Sequence, residues 1–137
     1  VYGVSSSAQY ADLAEFYEAD ADYDKASVVI LAGSKEMTVT AFTHDTRVLG
    51  VISTRPAFLM NDCGQAGNWK AVALTGRVPC KVKGPVSKGD VLVTSSVVGA
   101  AEKLDKSKYE PGCVLGKSLE DHPGDDVRVI EVVIGRF

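Results

Sequence analysis

The stretch KAVALTGRVPCKV (residues 70–82) is a long segment of the kind that forms β-strands, and the fold class follows from it. Apolar and β-branched residues recur along it, as is typical of strands. Gly76 and Pro79 interrupt the pattern. Because proline cannot donate a hydrogen bond to a β-ladder, we expect a bent strand or a strand at the edge of a sheet.

Shorter segments of the same type surround this stretch and are separated by turns rich in glycine, proline and polar residues. They are SVVIL, EMTVTAF, RVLGVIST, FLMN, DVLVTS, GAAEKL, CVLGKSLE and VRVIEVVIG. About nine short strands at such spacing predict an all-β fold, either a barrel or a sandwich. The last segment, residues 127–135, is apolar on both faces, so we predict a central strand or one that lies against another subunit.

Residues 10–18, YADLAEFYE, show a helical pattern. Four residues recur at helical spacing on one face: Tyr10, Leu13, Ala14 and Tyr17. The sequence therefore predicts a single β-rich domain over residues 10–137 that begins with a short helix at 10–18. Residues 1–9 include three consecutive serines and are predicted to form a flexible lead-in.

The net charge of −3 conceals an uneven distribution of charge along the chain. Residues 1–24 contain no Lys or Arg but carry the acidic residues Asp12, Glu15, Glu18, Asp20, Asp22 and Asp24. Basic residues are scattered singly through the remainder and are not gathered with aromatic residues, which argues against a nucleic-acid partner. No run approaches the roughly 18 apolar residues of a membrane helix, so membrane insertion is not expected.

The cysteines and histidines do not form a recognisable metal or redox motif. Cys63, Cys80 and Cys113 are far apart and contain no C-x-x-C pair. We predict buried thiols in a protein assembled in a reducing cytoplasm. His44, in the segment THDTR, is predicted to lie in a polar surface turn.

The acidic stretch raises the question of a metal site. Asp20, Asp22 and Asp24 match the start of a calcium-binding loop, D-x-D-x-D. That loop requires Gly at its sixth position and Glu at its twelfth. Lys25 and Leu31 stand there instead, so we predict a solvated acidic turn and no metal.

A catalytic role for the acidic stretch is the other alternative. Asp12 and Glu15 lie three residues apart, a spacing that on a helix could hold a carboxyl pair for acid-base chemistry. Acidic residues near a helix N-terminus are also favourable for the helix dipole alone. The glycines punctuate strands and form no phosphate-binding motif, so no cofactor is predicted.

Several blocks of the sequence resemble the C-terminal domains of tailed-bacteriophage fibre and appendage proteins. In order, they are AQYADLAEFYEADADYDKASVVILAGSKEMTV, DTRVLGVISTRPAFLMN, VALTGRVPCKVKGPVSKGDVLVTS and GKSLED. Some of these relatives resemble the maturation domain of pre-neck appendage proteins, an intramolecular chaperone that trimerises and cuts itself near a D-Y-A-E motif. The residues that match this motif are Asp12, Leu13, Ala14 and Glu15.

The resemblance implies a homotrimeric head in the virion that is assembled in the host cytoplasm and joined to an upstream fibre stalk. Because the sequence starts at Val1, we expect a longer chain, with residues 1–9 coming from the stalk. The resemblance places Tyr10, Leu13 and Tyr17 at the stalk-to-head junction. It also implies an alternative function as an autoproteolytic chaperone, in which Asp12 or Glu15 polarises a peptide bond.

Contact with a host surface glycan or protein is the last expectation from the resemblance. The irregular loop at 61–69 contains the one tryptophan of the chain, and tryptophan is favoured at binding sites on loops. Gln65, Asn68 and Trp69 are therefore candidate receptor contacts. The alternative is that Trp69 is buried in the head.

Overall fold

The segment KAVALTGRVPCKV lies within the strand that organises the whole sheet. The structure, a computed structural model, describes residues 12–53, 58–60 and 66–135. Their strands are β1 (Asp12–Ala19), β2 (Val28–Ile30), β3 (Thr38–Val39), β4 (Val48–Ile52), β5 (Phe58–Met60), β6 (Asn68–Lys83), β7 (Val91–Thr94), β8 (Ala101–Lys103), β9 (Val114–Ser118) and β10 (Val127–Ile134). The predicted all-β fold is confirmed.

The second half of β6 closes a five-stranded barrel. The strands pair in the order β6, β8, β7, β9 and β10, and β10 pairs back onto β6. The β6–β8 contact is parallel, at Val82 and Ala101, whereas the other four pairings are antiparallel. The barrel interior holds apolar side chains that include Val78, Cys80, Val82, Leu92, Leu115, Ile130, Val132 and Ile134.

The first half of β6 carries the strands that lie outside the barrel. It pairs with β1 and with β4, and β4 continues the sheet to β2 and β3. The strand β5 adds to β1 in parallel. A second buried cluster lies here, formed by Ala19, Val29, Met37, Ile52 and Val72. The segments SVVIL and EMTVTAF pair as an antiparallel hairpin, with Val29 opposite Val39.

The predicted N-terminal helix is wrong for the described residues 12–18, which belong to β1. A helix of nine residues is marginal alone and needs tertiary packing. As a strand, residues 12–19 pair with β6 and, over Leu13, Ala14 and Glu15, also with β5. Pairing with two neighbours therefore overrides the local helical pattern.

The predicted edge position holds only for part of residues 70–82, because β6 pairs with β1, β4, β8 and β10 but over residues 77–81 has a ladder with β10 alone. Pro79 faces Glu131 in the ladder. The Glu131 N–H donates to Glu120 Oε2, and the Glu131 carbonyl accepts from Leu119 N–H, so both groups point away from Pro79. Pro79 thus occupies a pair that exchanges no hydrogen bonds, where its missing donor has no cost to this ladder.

The final strand is central, as predicted, since β10 pairs with both β6 and β9. Its Ile130, Val132 and Ile134 are buried, whereas Val127 and Val129 are exposed. Within the described part of the chain, helical structure is limited to a single 3-10 turn at Lys106–Lys108. No helix in those residues is long and apolar enough to cross a membrane.

Candidate functional site

The acidic stretch is neutralised by bases that the fold brings from distant positions. Asp22 forms an ion pair with Lys70, and Asp24 Oδ1 accepts from Lys81 Nζ at 2.7 Å. Glu18 lies 3.8 Å from Lys35 Nζ. In the described ranges, no group of three or more His, Cys, Asp or Glu side chains is arranged to hold a metal ion.

Asp24 shows how this neutralisation acts on a single carboxyl group. The hydrogen bond from the Lys81 ammonium to Oδ1 has the largest effect on this carboxyl group, and the Ser27 hydroxyl donates to the same Oδ1 at 2.9 Å. These hydrogen bonds lower the pKa of Asp24 below its ordinary value. Asp24 therefore remains a charged acceptor on the protein surface.

An aromatic pocket of about 360 Å³ opens beside these acids. Its floor is formed by the buried residues Ile52, Ser53 and Ala71. Its remaining lining residues are Phe16, Tyr23 and Trp69, with Asp22, Asp24, Lys25 and Lys70 as charged groups. We call this site the aromatic pocket.

The sheet register determines which rings face the aromatic pocket. Phe16 in β1 is paired with Ala71 in β6, and Trp69 lies two residues from Ala71 on the same face of β6. Phe16 and Trp69 are thus diagonal neighbours, a separation that aromatic side chains can bridge. Trp69 Nε1–H donates to the Ala66 carbonyl at 3.0 Å, which fixes the edge of the indole.

Of the three predicted receptor contacts, the structure describes Asn68 and Trp69. Trp69 is half-buried and lines the aromatic pocket, so it is neither fully buried nor on an irregular loop. Asn68 is half-buried at the first position of β6, opposite Ala19. The loop prediction is wrong for these two residues, because β1 extends the β6 ladder to Asn68. Gln65 lies outside the described residues.

An apolar groove of about 650 Å³ forms a second concave surface. It is lined mainly by Tyr17, Leu31, Val48, Leu49, Leu74, Tyr109, Pro111, Val114 and Ile134. Leu31 and Tyr109 are both about half exposed. Such large exposed apolar side chains around one groove are typical of a surface that another chain covers.

Of the three predicted junction residues, the structure describes Leu13 and Tyr17. Tyr17 lines the apolar groove, and Leu13 is half-buried in β1 opposite Phe58 and Thr75. Tyr10 lies outside the described residues. The structure therefore places one of the three in a groove that a partner could occupy.

Asp12 and Glu15 are the carboxyl pair of the catalytic alternative, and the structure describes the side chain of Glu15 only. Glu15 Oε1 accepts a hydrogen bond of 2.7 Å from the Tyr17 hydroxyl. Burial, together with Glu15, raises the pKa of Tyr17 to about 12, so the phenol stays protonated as the donor. The backbone of Asp12 opens β1 opposite Gly76, and its side chain lies outside the described set.

A buried polar cluster is the site that the sequence did not reveal. The Asp105 N–H donates to His44 Nε2 at 3.0 Å, so Nε2 is an acceptor and Nδ1 carries the proton. His44 Nδ1 lies 2.7 Å from the Thr43 hydroxyl, which in turn donates to Glu102. His44 lies in a turn, as predicted, but it is buried and has φ of 54°, so its predicted surface position is wrong.

Comparison with known proteins identifies the fold. No protein-family model and no curated protein sequence matches the chain. The structure superposes on the crystal structure of the C-terminal fragment of bacteriophage phi29 gene product 12 with a TM-score of 0.66. The match has 14% sequence identity and covers 90% of this chain and 100% of that fragment. The chain thus has the fold of a C-terminal fragment from a phage protein.

Proposed function

We propose that the chain is the C-terminal head of a bacteriophage fibre or appendage, a structural part of the virion that forms a homotrimer. The observation that carries this proposal is the match to the whole of the phi29 gene product 12 fragment. The order of sequence blocks typical of fibre and appendage heads supports the same class. Function does not follow from fold alone, so the proposal needs surfaces suited to assembly.

The outer face of β10 offers one such surface. Val127 is 40% exposed and Val129 is 57% exposed. Both lie in the first half of β10, which pairs with β6 and precedes the ladder that Val132–Ile134 form with β9. A neighbouring subunit that packs on this face would bury them.

The apolar groove is placed to form the joint with the upstream stalk. Ile134 and Gly135 line the groove, and Ile134 is paired with Gly76. Gly76 is also paired with Asp12, where β1 begins. The upstream chain therefore enters the head close to the end of β10, and we infer that stalk residues cover the groove around Tyr17 together with the β10 face of the next subunit.

Threefold symmetry explains why two different surfaces are needed. A cyclic trimer uses a heterologous contact, in which one patch of a subunit meets a different patch of the next. The exposed valines and the apolar groove lie toward opposite ends of β10. A contact between such unlike patches closes into a ring when the rotation per subunit is one third of a turn.

Substitution on the outer face of β10 tests the assembly. Val129→Glu is expected to shift the chain from trimer to monomer in sedimentation velocity, because a buried, unpaired carboxylate is costly. Val98→Glu is the matched control, since Val98 is 64% exposed on a different turn, and it should leave the trimer intact. Trimer formation by Val129→Glu would exclude this face as the interface.

Self-cleavage is the second candidate function, and the Tyr17–Glu15 pair favours it. The Tyr17 hydroxyl donates to Glu15 at 2.7 Å and stays protonated, because its pKa is raised to about 12, so it orients the carboxylate that this function would use to polarise a peptide bond. Intact-mass spectrometry of the freshly expressed full-length fibre protein tests it. Cleavage that is lost in Glu15→Gln but retained in Glu110→Gln, at an exposed site, would support this function, and a single intact chain would reject it.

Host contact completes the proposal. The aromatic pocket displays Trp69 beside charged side chains that can hydrogen-bond a ligand. Pockets that combine aromatic surface with a few polar groups are the usual form of small-ligand sites. We infer that the head meets the host surface at this pocket.

A further inference from the structure

We propose that the aromatic pocket binds the ring of a neutral hexopyranose at the exposed end of a surface glycan. This inference rests on the host-contact part of the proposed function and is independent of trimer formation. It names both the class of ligand and the residues that recognise it.

The shape of the aromatic pocket suits a single sugar ring. Its volume of about 360 Å³ lies at the lower end of the range for small-ligand sites, roughly 300–1,000 Å³. Phe16 and Trp69 share one sheet face, as the register shows. One face of a pyranose presents only C–H groups, and these pack on aromatic rings as other apolar surface does.

The aromatic side chains of the pocket are fixed before any ligand arrives. The indole of Trp69 is held by its hydrogen bond to Ala66. The Tyr23 hydroxyl donates to Asp20 Oδ1 at 2.6 Å and lies 3.1 Å from the Thr38 hydroxyl. Binding therefore costs little side-chain entropy, which favours recognition of a small, weakly held ligand.

The carboxylates supply acceptors for sugar hydroxyl groups. Lys70 reaches Oδ1 of Asp22, and both Lys81 and Ser27 reach Oδ1 of Asp24. None of these hydrogen bonds uses an Oδ2 atom. A hydroxyl of a bound sugar can donate to such an oxygen in a charge-assisted hydrogen bond.

The balance of charge selects a neutral ligand. The aromatic pocket is lined by two acids, Asp22 and Asp24, and two bases, Lys25 and Lys70. Because the two signs balance, neither an anion nor a cation gains net electrostatic attraction from these groups. An uncharged, polyhydroxylated ring can use both signs of charge, since its hydroxyls both donate and accept.

Trp69 makes the test direct, because it is the one tryptophan of the chain and lines the proposed site. The probes are the methyl pyranosides of glucose, galactose and N-acetylglucosamine, added to the 137-residue protein. We expect a saturable change in tryptophan fluorescence for at least one of them, with a Kd on the order of 1 mM. Isothermal calorimetry gives a second readout that does not depend on the indole.

Two pairs of variants locate the site. Tyr23→Leu removes a ring from the aromatic pocket, and Tyr109→Leu removes an exposed ring elsewhere. The double change Asp22→Asn and Asp24→Asn removes the charged acceptors, with Asp125→Asn as its control. We expect each pocket change to weaken binding by about tenfold, equal to roughly 1.4 kcal/mol, and each control to have no effect. Circular dichroism confirms that each variant is folded.

Several results would overturn the inference. These are the absence of saturable binding by both methods for all three probes, unchanged binding in Tyr23→Leu, and binding confined to acidic saccharides or peptides. The native mass of the same samples separates this failure from failure of the proposed function. A trimer that binds no pyranoside refutes the pocket alone, and a monomer that binds one refutes trimerisation alone.

Discussion

At the scale of single residues, Asp45 is the carboxyl group on which acid stability most clearly depends. Its Oδ1 accepts from the Arg47 backbone N–H and from Nε, and its Oδ2 accepts from the second guanidinium nitrogen at 2.9 Å. The Arg47 side chain is the main cause that lowers the pKa of Asp45, and burial opposes it. Asp45 thus ties the turn before β4 to the guanidinium of Arg47.

Removal of this carboxylate should destabilise the head in a pH-dependent way. Since the folded-state pKa lies below the unfolded value, the stabilisation is complete above the ordinary Asp range and is lost as pH falls through the folded value. We expect Asp45→Asn to lower the free energy of unfolding by about 1.5–3 kcal/mol at pH 7. The difference from wild type should shrink as pH falls below the ordinary Asp range.

Urea unfolding across this pH range measures the effect of Asp45→Asn. Asp125→Asn, at an exposed acid, serves as the control and should follow wild type throughout. A deficit in Asp45→Asn that is the same size at pH 7 and pH 3 would contradict the assignment of the lowered pKa to the Arg47 contact.

The buried thiols give a second prediction at the residue scale. Cys80 and Cys113 are both free and fully buried, and burial strongly raises the pKa of the Cys80 thiol. Because only the thiolate reacts, we expect alkylation of both to be at least about a hundredfold slower in the native state than in urea. Peptide mapping by mass spectrometry measures each site separately, and fast native labelling of Cys80 would contradict its position inside the barrel.

The burial of individual side chains could be predicted from the sequence in some cases and not in others. The buried thiol was predictable, because an isolated cysteine between apolar residues in a strand is ordinarily part of a core. The burial of His44 was not, since its partner Asp105, and Glu102 that binds the adjacent Thr43, lie some sixty positions away. The hydrogen bonds that hold this histidine at a positive φ come from residues far away in the sequence, so the local sequence does not predict them.

At the scale of elements, the contact of β9 with β10 depends on a glycine. A Cβ at Gly116 would lie 2.0 Å from the Val133 carbonyl oxygen and 2.9 Å from its carbon. These are backbone atoms within the β9–β10 ladder, so they cannot move aside without separating the strands. Gly116 is therefore required by close approach of the backbone.

We expect Gly116→Ala to lower the free energy of unfolding by about 3 kcal/mol, as is typical of overpacked interiors. The control is Gly89→Ala, where φ is 93° but no atom lies within 4 Å of the added Cβ. It should cost only the backbone conformational term, about 1–2 kcal/mol. Thermal or urea denaturation compares the two, and a larger loss in Gly89→Ala would contradict the steric account.

The other strands were easier to predict from the sequence than β1 was. Segments such as VRVIEVVIG carry β-branched residues whose preference agrees with the fold. The stretch YADLAEFYE carries alanine, leucine and glutamate, which favour helices, and its aromatic residues are compatible with either state. Its strand conformation is imposed by β5 and β6, which the local sequence does not contain.

At the scale of the whole molecule, the strands β2 to β10 were predictable in their order along the chain, whereas β1 and the closure of the barrel were not. Closure depends on the parallel contact of Val82 with Ala101 and on the return of β10 to β6. Both join positions distant in sequence, and no periodicity encodes them. The aromatic pocket is similar, because it unites Phe16 and Tyr23 with Trp69 only once β1 pairs with β6.

The native mass of the chain decides whether this β-barrel is the trimeric head of a phage fibre or appendage, as we propose. Light scattering of the 137-residue chain, at concentrations down to the micromolar range, measures this mass without labels. We expect a stable particle of about three times 14.5 kDa, the mass of one chain. A monomer at every concentration would contradict the claim and leave the valines of β10 exposed without a partner.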